Sequence, residues 1–231
     1  MKIEVKGPII SSNDQWVYDW FEIEATSPKK VNDLLKQCEN NEDLEVEINS
    51  GGGSVFAGSE IYTALKSYKG NVTIKIVGLA ASAASVIAMA GNKILMSPTA
   101  QMMIHNASAS IGGDYRDMEK GTEILKNINT SISNAYRLKT GMTQEELLTL
   151  MDDETWLTPQ QALKNKFIDE VMFQNEELKA TASFSNTLLP QEVINKIRNE
   201  LKKEPVIYEN EGNNEKLENK KKEIEIFLNL V

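Results

Sequence analysis

Two residue types with wide chemical range are almost missing from this chain: 231 residues hold one cysteine, Cys38, and one histidine, His105. A lone cysteine excludes an internal disulfide framework and fits a reducing compartment. One Cys and one His cannot build a zinc site of the Cys/His type within the chain, and neither metal nor cofactor is expected. Positive charge is short as well. The formal net charge is −9, and with nothing to offset phosphate repulsion, nucleic acid and anionic membrane are not expected partners. The opening MKIEVKGPII lacks the long apolar stretch of a signal peptide. The longest apolar run, Val77 to Ala90, is rich in Ala and Ser and falls short of the roughly 20 residues a membrane span needs. Together these absences predict a cytoplasmic protein.

What is present is ordinary for a globular chain: 41% hydrophobic and 26% charged residues, in a length that allows one full core and a small appendage. Val72, Ile74 and Ile76 alternate with Thr73 and Lys75, the period of a half-buried strand. Gly78 is expected to break that strand, and Ala80 to Ala90 to form a buried helix with Ser82 in its first turn. Leu44, Val46 and Ile48 mark another strand, which runs into Ser50-Gly51-Gly52-Gly53 and then a helix from Val55 to Tyr68, closed by Gly70. An opening strand is expected within Met1 to Ile10, a helix at Ser27-Pro28, and short strands near Lys93–Met96 and Gln101–His105. Alternation at this spacing predicts an α/β architecture built from crossover units.

Past His105 the pattern changes. Asp114 to Lys139 reads as a long polar-rich helix with Met118, Leu125 and Ile132 seven apart and Tyr115, Ile128 and Tyr136 alongside. So narrow a stripe suits packing against a neighbouring subunit, and a solvated helix leaning on its own domain fits equally well. Thr143 to Glu146 is a capping box, Thr158-Pro159 opens a further helix, and Phe167 to Met172 reads as a last strand. From about Lys179 the composition turns charged and poor in apolar residues. The chain therefore divides into a body over 1–178 and a C-terminal extension over 179–231, helical around Gln191–Lys203 or disordered.

Ser82 stands where unpaired N–H groups and the positive end of a helix dipole favour developing negative charge. Its neighbours Ala80, Ala81, Ala83 and Ala84 are small enough to admit a substrate backbone. A serine nucleophile needs a base, an acid to orient the base, and donors for an oxyanion. His105 ends the apolar strand Met102-Met103-Ile104; Gly51-Gly52-Gly53 can form an anion-binding nest; Asp152-Asp153-Glu154 offers acids. Taken singly, each has a plainer explanation: a packed core helix, a satisfied core histidine, a tight turn, a solvated acidic loop.

Order and context combine them. Ser50-Gly-Gly-Gly, Gly78-Leu-Ala-Ala-Ser82, Met103-Ile-His105-Asn106 and Glu154-Thr-Trp-Leu-Thr-Pro-Gln-Gln-Ala162 together resemble the Clp protease proteolytic subunit family, peptidase family S14, over roughly residues 1 to 173. No G-x-S-x-G elbow is present. The resemblance implies the Clp/crotonase-type fold, a spiral of repeated ββα units, with the helix from Asp114 as a protruding handle that interlocks stacked rings. It implies Ser82 as nucleophile, His105 as general base, Glu154 as the acid, and the N–H groups of Gly53 and Ala83 as oxyanion hole.

The family's usual acid is Asp, so Glu154 departs from it, and Asp153 stays open as the alternative. The ETW segment and the GLAASAAS run look most like phage and prophage head maturation (prohead) proteases. The resemblance then implies cleavage of phage scaffold and capsid proteins, in a bacterial host cell or within the procapsid. One rival is a degradative subunit working with an AAA+ ATPase; another is an inactive structural component of the shell. Crotonase-like enzymes share the fold without a serine–histidine pair. The expected partners are a protein or peptide substrate and further copies of the chain in a ring.

Overall fold

The structure, a computed structural model, describes residues 1–38 and 42–174. The expectations for the C-terminal extension lie outside the described residues. Within them, seven strands form one sheet: β1 Lys2–Lys6, β2 Leu44–Ser50, β3 Val72–Ala81, β4 Lys93–Met96, β5 Gln101–Ile104, β6 Thr155–Leu157 and β7 Glu170–Val171. The main path runs β1-β2-β3-β4-β7, all parallel, and β5 joins β3 in parallel before β6 pairs back antiparallel on β5. Parallel neighbours need crossovers, which α2 Pro28–Leu35, α3 Val55–Lys66 and α4 Ala83–Ala88 supply. The α/β architecture read from the alternation is the one observed. Val46, Ile48, Ile74, Ile76, Ile61 and Ile87 are fully buried between sheet and helices.

β3 is the organising strand, and it is longer than its sequence suggests. Gly78 does not end it. The β2–β3 register slips between Ile48 and Ser50, and Gly78 leaves room there for the Asn49 side chain: a Cβ at Gly78 would lie 2.5 Å from Asn49 Oδ1. That oxygen accepts the Leu79 N–H. The strand then changes partner, pairing with β4 through Thr73–Ile76 and with β5 through Leu79–Ala81. The buried helix is correspondingly shorter than Ala80 to Ala90, and Ser82 precedes it rather than lying in its first turn.

Local signals placed other elements well. Ser27 caps α2 by accepting the Lys30 N–H, with Pro28 at the first helical position. Capping boxes open α6 Gln144–Asp152 at Thr143 and α7 Pro159–Lys164 at Thr158. The long helix α5 spans Tyr115–Thr140 with Gly141 as a left-handed cap. Its stripe divides along its length: Tyr136 and Ala135 are buried and Ile132 packs on the core, whereas Tyr115 and Met118 stand exposed. α3 ends at Lys66 with Ser67 as its cap, before Gly70, and the final strand shrinks to two residues because Phe167 and Ile168 sit in the core as a turn after α7. α1 Gln15–Trp20 and β6 had no counterpart in the sequence reading.

Candidate active site

Ser82 occupies the sharp turn from β3 into α4, with φ 55° and ψ −126°. A non-glycine residue with positive φ is strained; here its N–H bonds to the Met103 carbonyl at 3.0 Å, and its own carbonyl receives the Ser85 and Val86 N–H groups. This is the geometry of a nucleophile elbow without its glycines. Ala80 and Ala84 stand two residues either side of Ser82, both fully buried. α4 is only six residues long, so a negative charge at this turn would be met by individual N–H groups more than by a helix dipole.

β3 and β5 are adjacent in register, Ala81 opposite Met103, which brings the end of β5 beside the turn. His105 Nε2 lies 2.8 Å from Ser82 Oγ, within hydrogen-bond reach for proton transfer. On the far side of the ring, Nδ1 is 3.9 Å from Glu154 Oε2. That is an ion-pair distance and too long for a hydrogen bond. Glu154 itself has φ 47° and is exposed; its other oxygen accepts the Trp156 indole N–H at 3.3 Å. β6 delivers it: Thr155–Leu157 pair with Ile104–Met102, so the residue before β6 meets the residue after β5. Asp152 is committed elsewhere, accepting the Asn106 amide at 2.6 Å, and Asp153 is exposed at the C-terminal cap of α6.

The glycine turn closes the other side. Ser50, buried, donates to the Gly7 carbonyl at 2.6 Å and accepts the Gly52 N–H at 3.1 Å. Gly52, at φ 93°, lies so close to the nucleophile that a Cβ would come 2.6 Å from Ser82 Cβ. Gly53, at φ 148°, presses on Ile9, whose carbonyl oxygen would lie 2.2 Å from a Cβ there. Only glycine fits either place. One N–H of the anticipated nest is thus spent on Ser50. Among the described residues, those of Gly53 and Ala83 have no protein acceptor.

The sequence-predicted residues Ser82, His105 and Glu154 come together in one line, with Gly53 and Ala83 in the two segments flanking Ser82. Two contacts at and behind this turn were missed. The Trp156 indole donates to Glu154 Oε1, a contact set by β6, whose three residues are too few to signal a strand. Ser85 and Tyr136 meet behind the turn at 2.8 Å; a tyrosine on an otherwise apolar helical stripe needs a partner for its hydroxyl, and that was the available clue.

The family model for Clp protease matches residues 23–175. An ATP-dependent Clp protease proteolytic subunit from Deinococcus radiodurans is 36% identical over 148 residues, 62% of this chain and 72% of that protein. The proteolytic subunit 1 from Streptomyces avermitilis is 32% identical over 152 residues, 65% and 70% of the two chains. Among solved structures, a mutant ClpP1 from Listeria monocytogenes matches 74% of this chain and 90% of its own with a TM-score of 0.60 at 22% identity, a likeness of fold.

Proposed function

The chain belongs to the Clp protease family, and from that premise we propose that it is the proteolytic subunit of a degradative, ring-forming bacterial serine endopeptidase, with its catalytic body over 1–178. The observation that carries the reading is the 2.8 Å Ser82–His105 hydrogen bond at a strained strand-to-helix turn. In the reaction, His105 Nε2 takes the Ser82 proton as Oγ attacks the scissile carbonyl. The carbonyl π electrons move onto oxygen, and the resulting oxyanion accepts from the Gly53 and Ala83 N–H groups. Collapse breaks the C–N bond, and His105 gives its proton to the departing amine. Water, deprotonated by the same nitrogen, then attacks the ester carbonyl and Oγ leaves with the proton. Glu154, at ion-pair distance from Nδ1, stabilises the imidazolium of each step.

The choice of acid is testable. Glu154→Gln is expected to lower kcat at least about 100-fold, since a neutral amide no longer stabilises the imidazolium and can orient the wrong tautomer. Asp153→Asn is expected to stay within about twofold. Steady-state kinetics on a fluorogenic peptide decide, and the reverse order would move the acid to Asp153.

The named relatives given above are ATP-dependent Clp proteolytic subunits, which favours the degradative reading over the head-maturation one suggested by the ETW and GLAASAAS segments. Assembly into rings in the cytoplasm belongs to the proposal. Trp16, Trp20 and Phe21 stand exposed on and beside α1, as do Met118 and Ile124 on α5, apolar surface suited to neighbouring subunits. The expected outcome is cleavage of short peptides by the protein alone and of a tagged folded protein only with an AAA+ unfoldase and ATP. Processing of phage scaffold or capsid proteins without an ATPase, with no ATPase-dependent degradation, would reverse the two readings.

A further inference from the structure

Behind the candidate nucleophile runs a buried chain of hydroxyls that the mechanism does not use. Ser85 is fully buried on α4, and its Oγ lies 2.7 Å from the Ser82 carbonyl oxygen and 2.8 Å from the Tyr136 hydroxyl. Tyr136, on α5, is 1% exposed and packs edge-on against Phe167, ring centres 5.8 Å apart. The protons can be assigned. A carbonyl only accepts, so Ser85 O–H donates to Ser82 and its oxygen is left to accept from Tyr136 O–H. Burial lifts the Tyr136 phenol well above its usual range, which keeps that donor proton in place.

The Ser82 carbonyl thereby accepts three hydrogen bonds: the Ser85 hydroxyl at 2.7 Å, the Ser85 N–H at 3.0 Å and the Val86 N–H at 3.3 Å. The other end of this same peptide group is the Ala83 N–H. The peptide is planar and trans, so its C=O and N–H point in opposite directions. Whatever fixes the carbonyl on the inner side aims the N–H on the outer side. Hydrogen bonds to the carbonyl also polarise the group and strengthen its donor.

We propose that Ser85 and Tyr136 are positioning residues that lock the Ser82–Ala83 peptide so that the Ala83 N–H is aimed at the oxyanion, coupling the long helix α5 to the reaction centre. The inference rests on Ser82 acting as nucleophile. Neither hydroxyl touches the substrate or His105. Their effect belongs to stabilisation of the tetrahedral state, which only interactions stronger there than in the ground state can provide.

The test is a cycle of Tyr136→Phe, Ser85→Ala and the double variant, with assembly checked by native mass spectrometry. Loss of a whole oxyanion donor costs roughly 100- to 1,000-fold in kcat; loosening one costs less. Tyr136→Phe is expected to lower kcat on a fluorogenic peptide about tenfold and Ser85→Ala about 30-fold, with KM within about twofold of wild type. The shape of the pH profile should not change. A peptide aldehyde, whose hemiacetal oxygen occupies the oxyanion position, should lose affinity by the same factor as kcat/KM. The double variant should be no slower than Ser85→Ala, because Tyr136 acts only through Ser85. Losses that multiply, a loss confined to KM, or unchanged kcat in assembled variants would overturn the inference while leaving Ser82 in its role. Wild-type protein that neither cleaves peptide nor takes a fluorophosphonate label would overturn the nucleophile reading and the inference with it. Should Ser85→Ala not assemble, Tyr136→Phe decides alone, since it keeps the ring and its contact with Phe167.

Discussion

Replacing Ser82 by alanine is expected to lower peptide cleavage by about 10,000-fold or more and to leave assembly intact. The hydroxyl makes one hydrogen bond, to His105, and the substitution removes a single oxygen from a partly exposed turn among alanines. The positive φ is as tolerable to alanine as to serine, so the fold loses little. The chemistry loses its nucleophile, and a step that proceeded through a covalent ester must then proceed by direct attack of water. Turnover of a fluorogenic peptide and labelling by a fluorophosphonate both report it. Residual turnover within about tenfold of wild type would remove Ser82 from the site. Ser85, one helical turn on, cannot take over: it has no exposed surface and its oxygen is engaged with the Ser82 carbonyl and Tyr136.

His105→Ala is expected to cost a comparable factor. It is the only imidazole among 231 residues, so no second histidine can be recruited as base. Knocking out either member of a cooperating pair costs nearly as much as losing both. The Ser82→Ala/His105→Ala double variant should therefore be about as slow as either single one. Activity that survives His105→Ala would mean a different base, such as a lysine, and would end the serine–histidine assignment.

What could be read from the residues was whatever depends on near neighbours. The alternation in Leu44–Ser50 and Val72–Ile76, the Ser27-Pro28 and Thr158-Pro159 starts and the box at Thr143 are each specified within a few positions, and each stands in the structure. Gly78 misled because a glycine in a strand can mark either an end or a close approach, and the neighbour it admits, Asn49, lies 29 positions earlier. β6 escaped because Thr155-Trp156-Leu157 shows no alternation long enough to recognise; it becomes a strand by pairing with β5. The site was legible to the same degree. Ser82 and His105 stood out by type and order, Glu154 was singled out from Asp152-Asp153-Glu154 only through the family resemblance, and the structure brings the three side by side. The hydroxyl chain joining Tyr136 to Ser85, 51 residues apart, could not be read without the crossing of α5 over α4.

The proposed acid faces solvent. The Glu154 side chain is 59% exposed, against 29% for His105. Two unit charges about 4 Å apart attract by about 1 kcal/mol in bulk water and about 4 kcal/mol at an effective dielectric of 20. Dissolved salt weakens the attraction further where the charges are open to it. The hold of this carboxylate on an imidazolium is thus set by what screens it. Any group that displaced water from Glu154, a bound polypeptide among them, would lower the local dielectric and tighten that hold without moving an atom of Ser82, His105 or Glu154.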